Sequence, residues 1–261
     1  MTVRARVLGA LRRVARLRPT RDVVAFGIPL PHVASAAPPD DASFVWDARR
    51  TEALEPRMLI GFGETAAVGA VGAERLARVD RAARSLFESI DVLGPAKPRL
   101  LGAAAFDAGP LGVFTAFDEA RFSLPRVTLA IGQRTEATVV VPREELAYVA
   151  DLADEVAACI ERACCDEPPA ALRPRGRVVA DGRAGFERGV DAAVRAIEAG
   201  ALEKVVLARA VEVETTASSG GVLADLAQAA GCARFCVRSR GAAFVGASPE
   251  LLVAVSGDAV R

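Results

Sequence analysis

The segment from Leu202 to Val211 restricts the possible folds of this chain more than any other. Drawn as an extended strand, it carries apolar side chains on both faces. Successive side chains of a strand point to opposite sides, so apolar residues on both faces indicate a strand that is covered on both sides. The segment therefore predicts an inner strand.

Lys204 lies at the start of this predicted strand. Lys97 is the only other lysine in the chain, and every remaining basic residue is an arginine. Lysine differs from arginine in that its amine can lose a proton, and burial lowers the pKa of an amine. Lys204 is therefore a candidate general base. The structural alternative is a strand-end lysine whose amine reaches water.

A second motif, Gly246-Ala247-Ser248-Pro249-Glu250-Leu251-Leu252-Val253, follows a short apolar strand predicted at Ala242–Val245. Together with Lys204-Val205-Val206-Leu207-Ala208-Arg209, it resembles the chorismate-utilising enzymes, and isochorismate synthases most closely. The resemblance is strong from Phe186 to Val253 and weak before it. It implies an α+β fold of the anthranilate synthase component I type, with antiparallel sheets and outer helices.

This resemblance also implies an isomerase reaction in which water adds at C2 of chorismate and the C4 hydroxyl leaves. Lys204 would then activate the water, and Glu250 would protonate the leaving hydroxyl from the opposite side of the ring. Burial would have to lower the pKa of the lysine and raise that of the glutamate. Taken alone, Glu250 is better explained as a helix-cap or turn carboxylate just after Pro249.

Two other functions remain open. One is salicylate synthesis, because salicylate synthases share the lysine, whereas anthranilate and aminodeoxychorismate synthases generally lack it. The other is a non-catalytic remnant or binding module that pairs with a second chain. The residues do not indicate whether the product would enter menaquinone or siderophore synthesis.

Mg²⁺ is the cofactor that the resemblance implies, and it would neutralise the substrate carboxylate. The family's metal ligands and substrate-gripping residues follow the Ser-Pro-Glu motif, so we expect them beyond Arg261. We therefore expect a chain truncated at its C-terminus that is poorly soluble and inactive alone. A second chain would supply the remainder.

Composition narrows the class of partner. The chain has 261 residues, no formal net charge and only 5% aromatic residues, which argues against nucleic-acid binding. It contains no apolar run of membrane-spanning length. Its five cysteines, two of them adjacent, indicate free thiols in a reducing cytoplasm. Because His32 is the sole histidine, the Cys232/Cys236 pair is better explained as buried side chains than as metal ligands.

The chain divides into four predicted regions. Residues 1–42 form a basic, Pro-rich extension whose first helix is frayed or lightly docked, and residues 43–165 form an α/β layer. Residues 166–182 form a linker rich in proline and glycine. Residues 183–261 begin the chorismate-binding domain. Gly61-x-Gly63-x-x-Ala66 loosely matches a dinucleotide fingerprint, but a tight turn after a strand explains these glycines better.

Periodicity predicts the individual elements. Helices are expected at Ala73–Ile90, Arg143–Cys165, Phe186–Ala199 (ended by Gly200) and Val222–Ala230. Strands are expected at Ser43–Trp46, Arg57–Gly63, Arg99–Phe106, Phe122–Ile131 with a break at Pro125, Ala137–Val141, Ala233–Arg238, Ala242–Gly246 and Leu251–Val255. The last three strands form a meander, which predicts a largely antiparallel sheet.

Overall fold

An eight-stranded sheet forms the centre of the larger of two units. The computed structural model describes residues 2–31, 38–48, 56–109, 111–164, 176–250, 252–253, 255–256 and 259–260. The larger unit comprises Met1–Ala171 with Ser219–Arg261, and the smaller comprises Leu172–Ser218.

The helices are Val3–Arg16 (α1), Arg75–Glu88 (α2), Val149–Ala163 (α3), Arg183–Glu198 (α4) and Ser219–Asp225 (α5). The first nine strands are Val23–Leu30 (β1), Phe44–Asp47 (β2), Met58–Phe62 (β3), Ala66–Gly69 (β4), Ile90–Leu93 (β5), Leu101–Ala104 (β6), Ala120–Leu124 (β7), Val127–Ile131 (β8) and Thr135–Pro142 (β9). The others are Arg177–Asp181 (β10), Val211–Glu214 (β11), Ala233–Ser239 (β12), Ala242–Ser248 (β13), Val255–Ser256 (β14) and Ala259–Val260 (β15).

The large sheet has the strand order β13-β12-β2-β3-β8-β9-β1-β5, and a three-stranded sheet has the order β4-β7-β6. Each neighbouring pair is antiparallel except β1 and β5. The predicted α+β fold with antiparallel sheets is therefore confirmed.

Strand β1 is covered on both faces, as β8 and β9 are, although sequence patterning missed it. Val24, Phe26 and Ile28 pack into the main core beneath the helices, whereas Ala25 faces a second core with Leu124. The prolines near residue 30 hid this strand from sequence reasoning. Pro29 is tolerated because β5 pairs only with residues 23–26, which leaves β1 an edge on that side beyond Phe26.

Helix α1 is part of the main core, so the prediction of a frayed or lightly docked extension at residues 1–42 is wrong. Val7 and Leu11 are completely buried, and the helix packs against α3 and β1. Thr2 caps its N-terminus by accepting a hydrogen bond from the Ala5 N–H at 3.2 Å. The apolar stripe has helical spacing, but only the tertiary structure supplies the surface that it covers.

Helix α2 covers the three-stranded sheet through Val79, which packs with Val68 and Ala120. Before this sheet, Gly63 turns the chain with φ of 59°, and β4 follows instead of a helix. The glycines after β3 therefore form a turn, as the sequence favoured. Strand β4 was not among the predicted strands.

A buried ion pair joins β2 to β12 in the large sheet. The Arg234 guanidinium donates to Asp47, and it also donates to the carbonyl oxygen of Leu223 at 2.8 Å. Only 11% of the Arg234 side chain and 4% of the Asp47 side chain are exposed. Residues 219–250 therefore belong to the larger unit, and the boundary predicted at residue 183 does not match the compact units.

The smaller unit contains α4 and the antiparallel pair β10–β11. Residues 177–181, which fell in the predicted linker, form β10; residues 166–175 of that linker lie outside the described range. Helix α4 ends as predicted at Gly200, whose φ is 70° and whose N–H donates to the Ile197 carbonyl at 3.0 Å.

Several further predictions differ from the structure near element ends. The helix predicted from Arg143 begins as a short 3-10 helix, Arg143–Ala147, before α3. The strand predicted at Leu251–Val255 is not formed at residues 252–253, and Leu251 and Ala254 lie outside the described range. The hairpin β12–β13 is present as predicted.

Cys159, Cys232 and Cys236 carry free thiols, and Cys165 lies outside the described residues. Burial raises the pKa of Cys159 and of Cys236, as expected for thiols that act as small core side chains.

None of the described helices has both the length and the apolar character required to cross a bilayer.

Replacing Leu11 by alanine tests the integration of α1 into the core. The cavity left by a completely buried leucine should lower the free energy of unfolding by about 2–5 kcal/mol. Leu17→Ala is the control, because this leucine is 64% exposed and should change stability by less than about 0.5 kcal/mol. Equal urea midpoints for the two variants would contradict the docking of α1.

Replacing Asp47 by alanine tests the ion pair between β2 and β12. The change leaves the Arg234 charge buried without its carboxylate, so the free energy of unfolding should fall by about 3–5 kcal/mol. Asp80→Ala removes an exposed pair with Arg84 and should cost about 0.5 kcal/mol or less. A similarly small loss for Asp47→Ala in chemical denaturation would show that the pair does not hold the two strands together.

Candidate functional site

Lys204 lies in the smaller unit, in an extended segment that is not a strand. Residues 203–210 are all exposed, and the strand begins only at Val211. The exposed fraction is 41% at Val205 and 83% at Val206. The prediction that this segment forms an inner strand covered on both faces is therefore wrong for the structure.

The pairing of β10 with β11 explains where strand structure stops. The last paired residues are Asp181 and Val211, followed by one hydrogen bond from the Gly182 N–H to the Ala210 carbonyl at 3.3 Å. Within the described range, no strand pairs with residues 203–210. A strand requires a hydrogen-bonded neighbour, so apolar residues on both faces do not suffice to form one.

Helix α4 and its capping turn position Lys204. The Ala201 N–H donates to the Ala196 carbonyl at 2.9 Å, and the Leu202 N–H reaches the same oxygen at 3.3 Å. The chain therefore leaves the helix through a hydrogen-bonded turn, and Lys204 follows two residues later. Its side chain is exposed, which differs from the buried amine that a lowered pKa would require.

Glu250 lies in the larger unit, just after the end of β13. Its N–H donates to the Ser248 hydroxyl oxygen at 3.1 Å, which forms a local turn around Pro249. The residue is exposed. This environment matches the alternative of a turn carboxylate and lacks the burial that would raise the pKa of a general acid.

Lys204 and Glu250 belong to different units, and their apposition across a substrate stays a prediction. Lys204 was predicted to lie at the start of a strand, and in the structure it is not on one. Neither residue lines the two cavities found in the larger unit, which have volumes of about 270 and 540 Å³.

The residues that the structure describes do not fit a bound Mg²⁺. Throughout the part of the chain that the structure describes, no group of three or more histidine, cysteine, aspartate or glutamate side chains could hold a metal ion. Mg²⁺ requires several oxygen ligands in near-octahedral geometry. No chemical step in this chain is therefore assigned to the metal.

Sequence reasoning missed both cavities. The smaller is lined by arginine and serine side chains from β7, from β12 and from the residues next to β2 and β12, and the larger by Phe106, Phe114, Phe117 and Phe244. The ring of Phe244 lies 5.7 Å from that of Phe114 in an edge-to-face contact. Residues this far apart in sequence form no local motif, so no sequence signal could have revealed these cavities.

The family is decided by comparison with known sequences. The profile described as "chorismate binding enzyme" matches residues 24–261. The chain belongs to the chorismate-binding enzyme family. The resemblance carried by the Lys204 and Glu250 motifs is thereby confirmed at the level of the family. No curated protein sequence matches this family member.

A solved structure shows the same fold. This chorismate-binding chain is similar to MenF, the menaquinone-specific isochorismate synthase from Escherichia coli, with a TM-score of 0.59 and 22% sequence identity. The similarity covers 94% of this chain and 56% of MenF, so the chain spans little more than half the length of that protein. At this identity, the likeness establishes the fold alone.

The exposed apolar residues of the smaller unit predict self-association of the chain. Helix α4 has no buried residue, and Val194 and Val206 are 48% and 83% exposed. The double change Val194→Asp with Val206→Asp should shift the chain toward the monomer in sedimentation velocity. Leu76→Asp, at an exposed position on α2, is the control and should leave the distribution unchanged. A wild-type chain that stays monomeric at high concentration would contradict this expectation.

Proposed function

We propose that this chain carries the water-activating part of an isochorismate synthase, which converts chorismate to isochorismate. The proposal rests on the presence of Lys204 in a chain that belongs to the chorismate-binding enzyme family. A proton-accepting amine suits the activation of water, and arginine, which the chain uses at almost every other basic position, cannot serve. The similarity to MenF supports this branch of the family.

In this proposal, two side chains handle protons on opposite sides of the ring. The neutral amine of Lys204 removes a proton from the water that adds at C2. The carboxyl group of Glu250 protonates the C4 hydroxyl as it leaves. After the reaction, Glu250 has lost one proton and Lys204 has gained one. Proton exchange with solvent restores both groups. The reaction is therefore balanced and needs no redox partner.

The exposure of both side chains indicates what else the reaction requires. The reaction needs an uncharged amine and an uncharged carboxyl group, and burial favours the uncharged form of both, whereas both side chains are exposed. We therefore propose that a further polypeptide segment covers Lys204 and Glu250 and changes both pKa values by burial. Magnesium, if the reaction uses it, would be held by that segment. We place the reaction in the cytoplasm.

A non-catalytic role is the second candidate, and the same exposure favours it. A chain that keeps the family fold while leaving both proton-handling side chains in water could serve as a binding module. Turnover by the assembled protein distinguishes the two functions.

The test measures isochorismate formation from chorismate with Mg²⁺. We expect no product from the 261-residue chain alone, and product when the polypeptide encoded directly downstream is expressed with it. Product from the chain alone would refute the need for a covering segment. Absence of product from the combined preparation would favour the binding module. Release of pyruvate would identify a salicylate synthase.

The role of Lys204 is tested in the active preparation by Lys204→Ala. Loss of the general base should lower kcat by about 10²–10⁴-fold. Lys97→Ala is the matched control, because Lys97 is the other lysine of the chain and is also exposed. Glu250→Gln should lower kcat similarly, with Glu88→Gln as its control. Unchanged kcat for Lys204→Ala would overturn the assignment of the base.

A further inference from the structure

The smaller cavity of the larger unit has the character of a ligand site. Its volume is about 270 Å³, which corresponds to about nine water molecules. Its walls come from β2, β6 and β7 and from the turn end of the β12–β13 hairpin. Regular strands hold most of its lining residues, so the site is largely preformed.

One polar wall contains Arg121, whose guanidinium is only partly used. Its Nη2 donates to the two carboxylate oxygens of Glu64 at 2.7 and 2.9 Å. The Ser123 hydroxyl also donates to Glu64, so this carboxylate is already satisfied. Among the described residues, Nε and Nη1 of Arg121 have no hydrogen-bond acceptor. The wall therefore has spare donors.

A second polar part of the lining contains Arg238, which is held by several hydrogen bonds. It donates to the Ala42 carbonyl and to the Ser219 hydroxyl oxygen, the latter from Nε at 3.0 Å and from Nη2 at 2.8 Å. Its Nη2 also lies 3.7 Å from a carboxylate oxygen of Asp40, so one of its five N–H donors, on Nη1, remains for a ligand. Nearby, Arg240 is neutralised by Asp118 through two bonds of 2.9 and 3.0 Å. Arg238 therefore also offers an N–H donor to a ligand in the cavity.

The remaining walls are apolar, with Phe44, Leu101 and Phe117 among the lining residues. A ligand that matches both kinds of wall carries hydrogen-bond acceptors on one side and an apolar body on the other. A carboxylate suits guanidinium donors particularly well, because its two oxygens match the fork of N–H groups.

We propose that this cavity binds a small carboxylate with a planar apolar body. The site is separate from the proposed isomerase chemistry. The cavity lies at the turn end of the β12–β13 hairpin, where Ser239 pairs with Ala242, whereas the Ser248–Glu250 turn follows the other end, where Ala233 pairs with Ser248. Six residue steps of β13 separate the two ends by roughly 20 Å.

The test is calorimetric titration of the full 261-residue chain with benzoate, and with benzyl alcohol as the uncharged analogue. We expect benzoate to bind and benzyl alcohol to bind at least tenfold more weakly. R121M removes the spare donors and should weaken benzoate binding at least tenfold. R84M removes an exposed ion pair outside the cavity and should leave binding unchanged. No binding of benzoate, or equal affinities in R121M and wild type, would overturn the proposal.

A second variant keeps the test decisive if R121M fails to fold. S239L fills the cavity without removing a charge, and it should abolish benzoate binding while the circular dichroism spectrum remains native.

Hydrogen exchange locates the site independently. Benzoate should protect amides around Arg121 and Val237–Arg240, and protection confined to other segments would refute this location. None of these measurements depends on chorismate turnover, so their failure is distinct from failure of the proposed function.

Discussion

The pairing of β2 with β12 is the constraint on which the larger unit depends. It joins residues 44–47 to residues 234–237, and the buried Arg234–Asp47 pair lies at one end of the ladder. Such a pair contributes little net free energy, but loss of either charge leaves the other uncompensated in a medium of low dielectric. The pair therefore disfavours any other register of β2 against β12, because a shift would separate the two charges. It attaches the β12–β13 hairpin, and with it Glu250, to a sheet built mainly from the first half of the chain.

The hairpin connects two features that are far apart in the molecule. At its turn, Arg238 and Arg240 line the small cavity. At its other end, Ser248 orients the turn that carries Glu250. The smaller unit shows the opposite situation, because residues 203–210 have the composition of an inner strand but lack a pairing strand among the described residues. Their exposed side chains indicate a surface that remains to be covered, and they place Lys204 at its margin.

Local signals predicted many elements of this fold. Helices α2 and α4 follow their apolar periodicity, Gly200 ends α4 with positive φ, and the break at Pro125 separates β7 from β8. Each of these features depends on neighbours within a few residues, for which the chain's own stereochemistry is decisive. The Lys204 and Glu250 motifs likewise identified the family, because each is short and continuous.

The sequence by itself determined the family, the fold class and the elements with clear periodicity. The tertiary structure alone decided that α1 belongs to the core, that β1 is among the strands buried on both faces, and that residues 203–210 form no strand. It also brought Arg121 and Arg238 to one cavity. The physical reason is that burial and strand pairing depend on partners distant in the chain. An apolar pattern records only a residue's tendency to be covered, and the available partner decides whether it is.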